Sequence, residues 1–204
     1  MKTRSNYFFV LLTVLAFAIS VKAQIFSGGI VGGVSTSAVK IENVGNSFSG
    51  VLHGNNIYGF EAGAFAKLML SPFYIKPMGL YNFSMGEIRN DNGATSSQTN
   101  NYSTHRIEAP VLLGLKIIGP LSIEAGPVYN YIIQSASRFN DNDVTISQVS
   151  GIGYRAGIAL EISRLLINLS YSGVTINSNG MNSASFKEPY KLVFGLGIKL
   201  GKIE

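Results

Sequence analysis

His105-Arg106-Ile107-Glu108-Ala109-Pro110-Val111-Leu112-Leu113-Gly114-Leu115-Lys116-Ile117 is the stretch that decides how the rest of the chain is read. Its odd positions from Ile107 to Leu115 are Ile, Ala, Val, Leu and Leu, whereas Arg106, Glu108, Pro110, Leu112, Gly114 and Lys116 occupy the even ones. Successive residues of a strand point to opposite faces. The stretch therefore reads as a strand with one apolar face and one face that holds all its charge.

Seven further segments follow the same period: Ile25 to Thr36, Ile57 to Leu70, Phe73 to Gly86, Leu121 to Gln134, Val149 to Ile162, Leu165 to Gly173 and Tyr190 to Leu200. Eleven charged residues fall inside the eight segments: Glu61, Lys67, Lys76, Arg106, Glu108, Lys116, Glu124, Arg155, Glu161, Lys191 and Lys199. Each sits on the less apolar face of its strand, a face otherwise rich in Gly and Ser, with Gln134 closing it in the fifth segment. A Lys or Arg facing lipid at mid-depth costs roughly 2–4 kcal/mol, which explains the one-sidedness. A soluble sandwich would instead need bulky apolar residues on its inner face.

The connections alternate. Ser71-Pro72, Ile118-Gly119-Pro120 and Ser163-Arg164 are tight turns, whereas the stretches near 37–56, 87–104, 136–148 and 174–187 are rich in Asn, Ser, Thr and Gly and read as long loops. Membrane barrels have this asymmetry between their two ends. On the apolar face, Tyr58, Phe60, Tyr81, Phe83, Tyr129, Tyr131, Tyr154, Tyr171 and Tyr190 gather at the long-loop ends. Rings with a polar tip favour a membrane–water interface, so this set predicts an aromatic girdle. Phe26 and Phe73 lie at the opposite ends. An even strand number with both termini on the short-turn side closes the sheet without a free edge. The expected fold is all-β: an eight-stranded antiparallel up-and-down transmembrane β-barrel.

The first 23 residues read differently. Lys2 and Arg4 precede an apolar run from Tyr7 to Val21, and Val21-Lys22-Ala23 ends in a small residue. This is the pattern of a signal peptide cleaved before Gln24; the run is short of the roughly 20 apolar residues of a spanning helix. Residues 1–23 are thus expected to be a leader and 24–204 a barrel domain in the bacterial outer membrane, in contact with its lipids. Taking Lys2, Arg4 and Lys22 from the 16 basic residues leaves 13 against 11 acidic. The high overall basicity is partly the leader's and gives nucleic-acid binding no support. The chain has no Cys, which excludes disulfides, a thiolate site and lipoprotein cleavage. Only 13% of residues are charged, against about a quarter in ordinary soluble domains.

Arg106-Ile107-Glu108-Ala109-Pro110-Val111-Leu112-Leu113 and Leu121-Ser122-Ile123-Glu124-Ala125-Gly126-Pro127 are the most specific stretches. With them, residues 24–204 resemble the outer-membrane β-barrel domain family common in Bacteroidetes, often labelled porin-family or PorT-like proteins. Ile75-Lys76-Pro77 and Phe194-Gly195-Leu196-Gly197-Ile198 fit more loosely. The resemblance implies membrane residence and no catalytic residues. A PorT-like role would imply an accessory in a secretion complex. The chain departs from many such barrels by running past Leu200 to Gly201-Lys202-Ile203-Glu204 in place of a terminal aromatic.

Little chemistry is legible. His53 and His105 are the only histidines, and two ligands without Cys are a weak basis for a metal site. Glu87, Ser103 and His105 could be imagined as a hydrolytic set, but their spacing specifies nothing. Gly151-Ile152-Gly153 and Gly195-Leu196-Gly197 precede no helix and cannot be phosphate loops. No catalytic residue, metal or cofactor is expected. An eight-stranded barrel is just wide enough for its side chains to fill, so the eleven charges are expected to form a structural network of pairs, with Glu108 and Glu124 against Arg106 and Arg155. The expected function is non-enzymatic: a structural, adhesive or accessory component of an envelope or secretion complex, acting through polar outer loops. The alternatives are a small diffusion pore, a lipid-active enzyme and a soluble ligand-binding barrel.

Overall fold

A computed structural model of the chain describes residues 26–42, 51–90, 99–139, 142–177 and 185–200. The proposed leader lies outside them. Eight strands follow in order: β1 Phe26–Glu42, β2 Val51–Leu70, β3 Phe73–Asn90, β4 Thr99–Ile118, β5 Leu121–Phe139, β6 Asn142–Ile162, β7 Leu165–Asn177 and β8 Ser185–Leu200. Each is antiparallel to the next, and β8 returns to β1 from Gly28↔Leu200 up to Glu42↔Ser185. The barrel is closed, so no strand is left as an edge.

The strands outrun the apolar alternation at one end. The stretches read as long loops are in part strand: Glu42 pairs with Val51, Arg89 with Thr99, Phe139 with Asn142 and Asn177 with Ser185. The stretch near 136–148 is almost wholly ladder, and only residues 140–141 separate β5 from β6. A strand needs about 9–11 residues to cross a bilayer, and most of these have 16 or more. Beyond the lipid neither face has to be apolar. The ladder continues there without the pattern that marks it in sequence.

At the other end the turns are tied to the next strand. The carbonyl of Pro72 accepts from the Lys116 amide, that of Pro120 from Glu161 and that of Arg164 from Lys199. The left-handed turn positions are Gly119, at φ 54°, and Ser163, at φ 57°. Glycine adopts that conformation without a Cβ penalty.

The outside of the barrel is a continuous apolar belt. Val34, Leu113, Ile158, Leu169 and Leu196 are about half exposed or more, and their counterparts recur on every strand. Soluble monomers rarely expose contiguous apolar patches beyond a few hundred Å²; a belt around a whole barrel needs lipid.

Candidate functional site: the filled lumen and the outer aromatic rim

Parity sends one side chain in two into the lumen, and below buried Ile57, Ser84, Thr104, Ile132 and Ser135 near the long strand ends the register forms three layers. In the uppermost of the three, Arg155 on β6 reaches across to Glu61 on β2 with two parallel bonds of 2.9 Å. Its Nη2 also donates to Glu108 at 2.7 Å. Glu108 takes Lys191 at 2.5 Å and Arg106 at 2.8 Å, and Arg106 takes Glu188 at 2.9 Å. All six side chains are buried, and three acids face three bases. Bidentate arginine–carboxylate pairs are the strong form of such bonds, and buried charge is tolerable only when paired in this way.

Below this layer lies an apolar one of Val31, Phe65, Met78, Leu80, Leu112, Ala159 and Leu166. The expectation of a lumen face rich in Gly and Ser rather than apolar bulk is corrected there. Large side chains fill the space that the glycines of neighbouring strands leave. Nearest the short turns is a second ionic layer. Lys76 meets Glu124 at 2.5 Å, Glu124 accepts from the Tyr74 hydroxyl at 2.6 Å, and Glu161 is shared by Lys67 and Lys199. The Lys67 ammonium also lies 3.6 Å over the Tyr74 ring, a cation–π contact. That ring rests directly on the backbone of Gly114, where any Cβ would collide with it.

The layers rearrange the expected network. Glu108 does meet Arg106 and Arg155, but Glu124 aligns with Gly114, six residues further down β4 than Glu108, and pairs with Lys76 instead. Lys116 has lumen parity yet is exposed, because it stands at the rim beside the turn. Glu161 and Lys199 are only partly buried. Gln134 is exposed and Ser135 turns inward: a β-bulge in β5, between the pairs His105↔Gln134 and Arg106↔Ile132, reverses the parity. Glu188 was outside the expected strands. Counted back from Lys191 it would face outward, but a bulge between the pairs Ser172↔Lys191 and Val174↔Glu188 turns it into the lumen. Pro189 marks the spot, since a proline cannot donate to the ladder and favours bulges.

On the outer face, Tyr58, Phe60, Tyr81, Tyr129, Tyr154, Tyr171 and Tyr190 are exposed, and Phe83 and Tyr131 are half-buried. Phe60 and Phe83 pack at 5.5 Å between centroids, and Tyr154 and Tyr171 at 6.2 Å. His105 lies among these rings, 4.7 Å from Phe83, with its Nδ1 2.5 Å from the Tyr81 hydroxyl. In a hydrolytic triad a carboxylate would orient the histidine from Nδ1; here a tyrosine occupies that position. Glu87 is aligned with Asn101, and Ser103 with Met85. The backbone of His53 is level with Arg89 and Thr99, six residues along β4 from His105. At about 3.3 Å per residue, roughly 20 Å separates the two histidines along the strands, too far for a shared ion. Among the described residues no three His, Cys, Asp or Glu side chains gather as a metal site.

An apolar belt, a ring of tyrosines at one end and a closed barrel with its charges inside define a membrane-spanning barrel. Residues 22–202 match the family described as outer membrane protein beta-barrel domain. The chain belongs to that family. It is accordingly a bacterial outer-membrane β-barrel, and the short turns of such barrels face the periplasm. Among solved structures, Neisserial surface protein A is similar at a TM-score of 0.51 and 12% identity, covering 85% of this chain and 97% of that one. The attachment invasion locus protein Ail of Yersinia pestis is similar at 0.46 and 11%, covering 85% and 98%. The outer membrane protease OmpT of Escherichia coli is similar at 0.49 and 8%, covering 88% and 97%. At such identities the likeness concerns the fold alone. No curated protein matches the sequence.

Proposed function

We propose that this outer-membrane barrel is a non-enzymatic, non-conducting envelope protein: a structural, adhesive or accessory component, PorT-like in that last sense, that meets its partners through the outer ends of its strands. The observation that carries the reading is the filled lumen. The upper ionic layer, the apolar layer and the lower ionic layer are stacked across the bore, and the cavity beside Glu108, Asn130, Ser172 and Glu188 has about 10 Å³, room for one water. A hydrated ion does not fit such a space. Among the described residues the His105 surroundings supply neither an orienting carboxylate nor a base–nucleophile pair, which argues against the lipid-active alternative.

Planar-bilayer recording from the purified, folded protein tests it. No stepwise current is expected at any moderate voltage, and discrete, reproducible steps would replace this reading with the diffusion pore. In the same reading residues 1–23 are removed on export. The intact mass of the protein extracted from outer membranes should then correspond to a chain beginning at Gln24; a mass that includes Met1 would refute the cleavage.

A further inference from the structure

Among the described residues the two ionic layers are charged differently. In the upper ionic layer Glu61, Glu108 and Glu188 balance Arg106, Arg155 and Lys191. Toward the short turns Glu124 and Glu161 face Lys67, Lys76 and Lys199, and the turns add Lys116 and Arg164. Five bases therefore meet two acids at that end, among the described residues. Lys67 and Lys76 are buried and paired, whereas Lys116 and Arg164 are exposed and Lys199 is 24% exposed. The Arg164 carbonyl accepts from the Lys199 amide, so the backbones of these two residues are neighbours on the rim.

What surrounds the cations identifies what they face. Ile118, two residues beyond Lys116 and past a register shift at the β4–β5 turn, is 75% exposed, and Ile117, Ile162, Leu165 and Leu200 are exposed on the same rim. A rim wetted by water or covered by an acidic protein would not need so much bare aliphatic surface. A membrane boundary does: the aliphatic side chains enter the acyl region while the ammonium and guanidinium groups stay at the level of the phosphates. The outer girdle's tyrosines have no counterpart here, since among the described residues Tyr74, the tyrosine nearest this end, points into the lumen. The outer interface carries tyrosines, whereas the periplasmic one carries cations together with the exposed, purely apolar rings of Phe26 and Phe73.

We infer that the periplasmic rim binds anionic phospholipid headgroups of the inner leaflet, with Lys116 and Arg164 as the main phosphate contacts and Lys199 beside them. The inference rests on the membrane barrel itself and is independent of whether the lumen conducts. The turns are pinned by backbone hydrogen bonds, so the cations are presented from a rigid rim.

The test uses the full barrel refolded into vesicles with spin-labelled lipids, whose motionally restricted fraction gives the preference for phosphatidylglycerol over phosphatidylcholine of the same chains. The wild type should prefer phosphatidylglycerol, and high salt should erase the preference by screening. Each cation near a surface contributes on the order of a fivefold effect, so the double variant Lys116→Gln, Arg164→Gln should bring the preference close to unity. Both side chains are exposed, and unchanged heat-modified gel mobility would show that the variant folds. The salt dependence of the wild type stands as an independent readout should it not fold. Absence of any wild-type preference, or a preference that survives both substitutions or high salt, would overturn the inference and leave the cations to an acidic periplasmic partner.

Discussion

Replacing Arg155 by methionine should lower the barrel's unfolding free energy by about 3–5 kcal/mol, the usual consequence of removing one partner from a buried ionic group. Arg155 holds both oxygens of Glu61 at 2.9 Å and one of Glu108 at 2.7 Å. Without it, among the described residues, Glu61 keeps only the longer contact of 3.5 Å to Lys191, and three buried acids face two bases. Urea titration of the protein folded into vesicles measures the effect. Two companions locate its cause. Arg155→Lys keeps the charge but cannot form the two-pronged bond, so it should fall between wild type and Arg155→Met. Adding Glu61→Gln to Arg155→Met removes the stranded charge and should recover part of the loss. A loss below about 1 kcal/mol for Arg155→Met would mean that the layer is open to water rather than sealed.

The second large effect lies on the opposite face of the wall. Val111→Arg places a guanidinium on the outer surface near the middle of the apolar belt, where Val111 is 47% exposed and aligned with Pro77. The expected cost is roughly 2–4 kcal/mol at the bilayer midplane, falling to about 0–1 kcal/mol near the interfaces. Leu200→Arg, at the end of β8 and 61% exposed, is the matched control near an interface. The same titration should separate the two by at least about 1 kcal/mol. Equal and small costs at both positions would contradict lipid contact at Val111. The two predictions together distinguish the faces of one wall: a charge is required on the inside and penalised on the outside.

Both faces were legible in the sequence because strand parity is a local rule. The alternation around Val111 places Arg106 and Glu108 inside and Ile107 and Leu113 outside without reference to the rest of the chain. Rules of this kind reach as far as the period is unbroken. They fail at Gln134 and Glu188, where one inserted residue reverses the phase. They also fail at the outer strand ends, where the Asn, Ser and Thr of a loop and of a solvated ladder look alike. Pro189 was the one visible signal for the second bulge. Nothing comparable marks the first.

The sequence by itself determined the closed eight-stranded wall, which side of it meets lipid and which end carries the tyrosines, because each follows from residues two apart or from turns between neighbouring strands. Only the tertiary structure decided what fills the wall. Arg155 and Glu61 are 94 positions apart, as are Lys67 and Glu161, and they meet because closing the barrel staggers the strands by a definite amount. That stagger separates Glu124 from Glu108, inserts an apolar layer between two ionic ones and, among the described residues, leaves surplus cations at the periplasmic rim. Parity states that a side chain points inward; its height on the barrel axis, and hence its partner across the lumen, exists only once the sheet has closed.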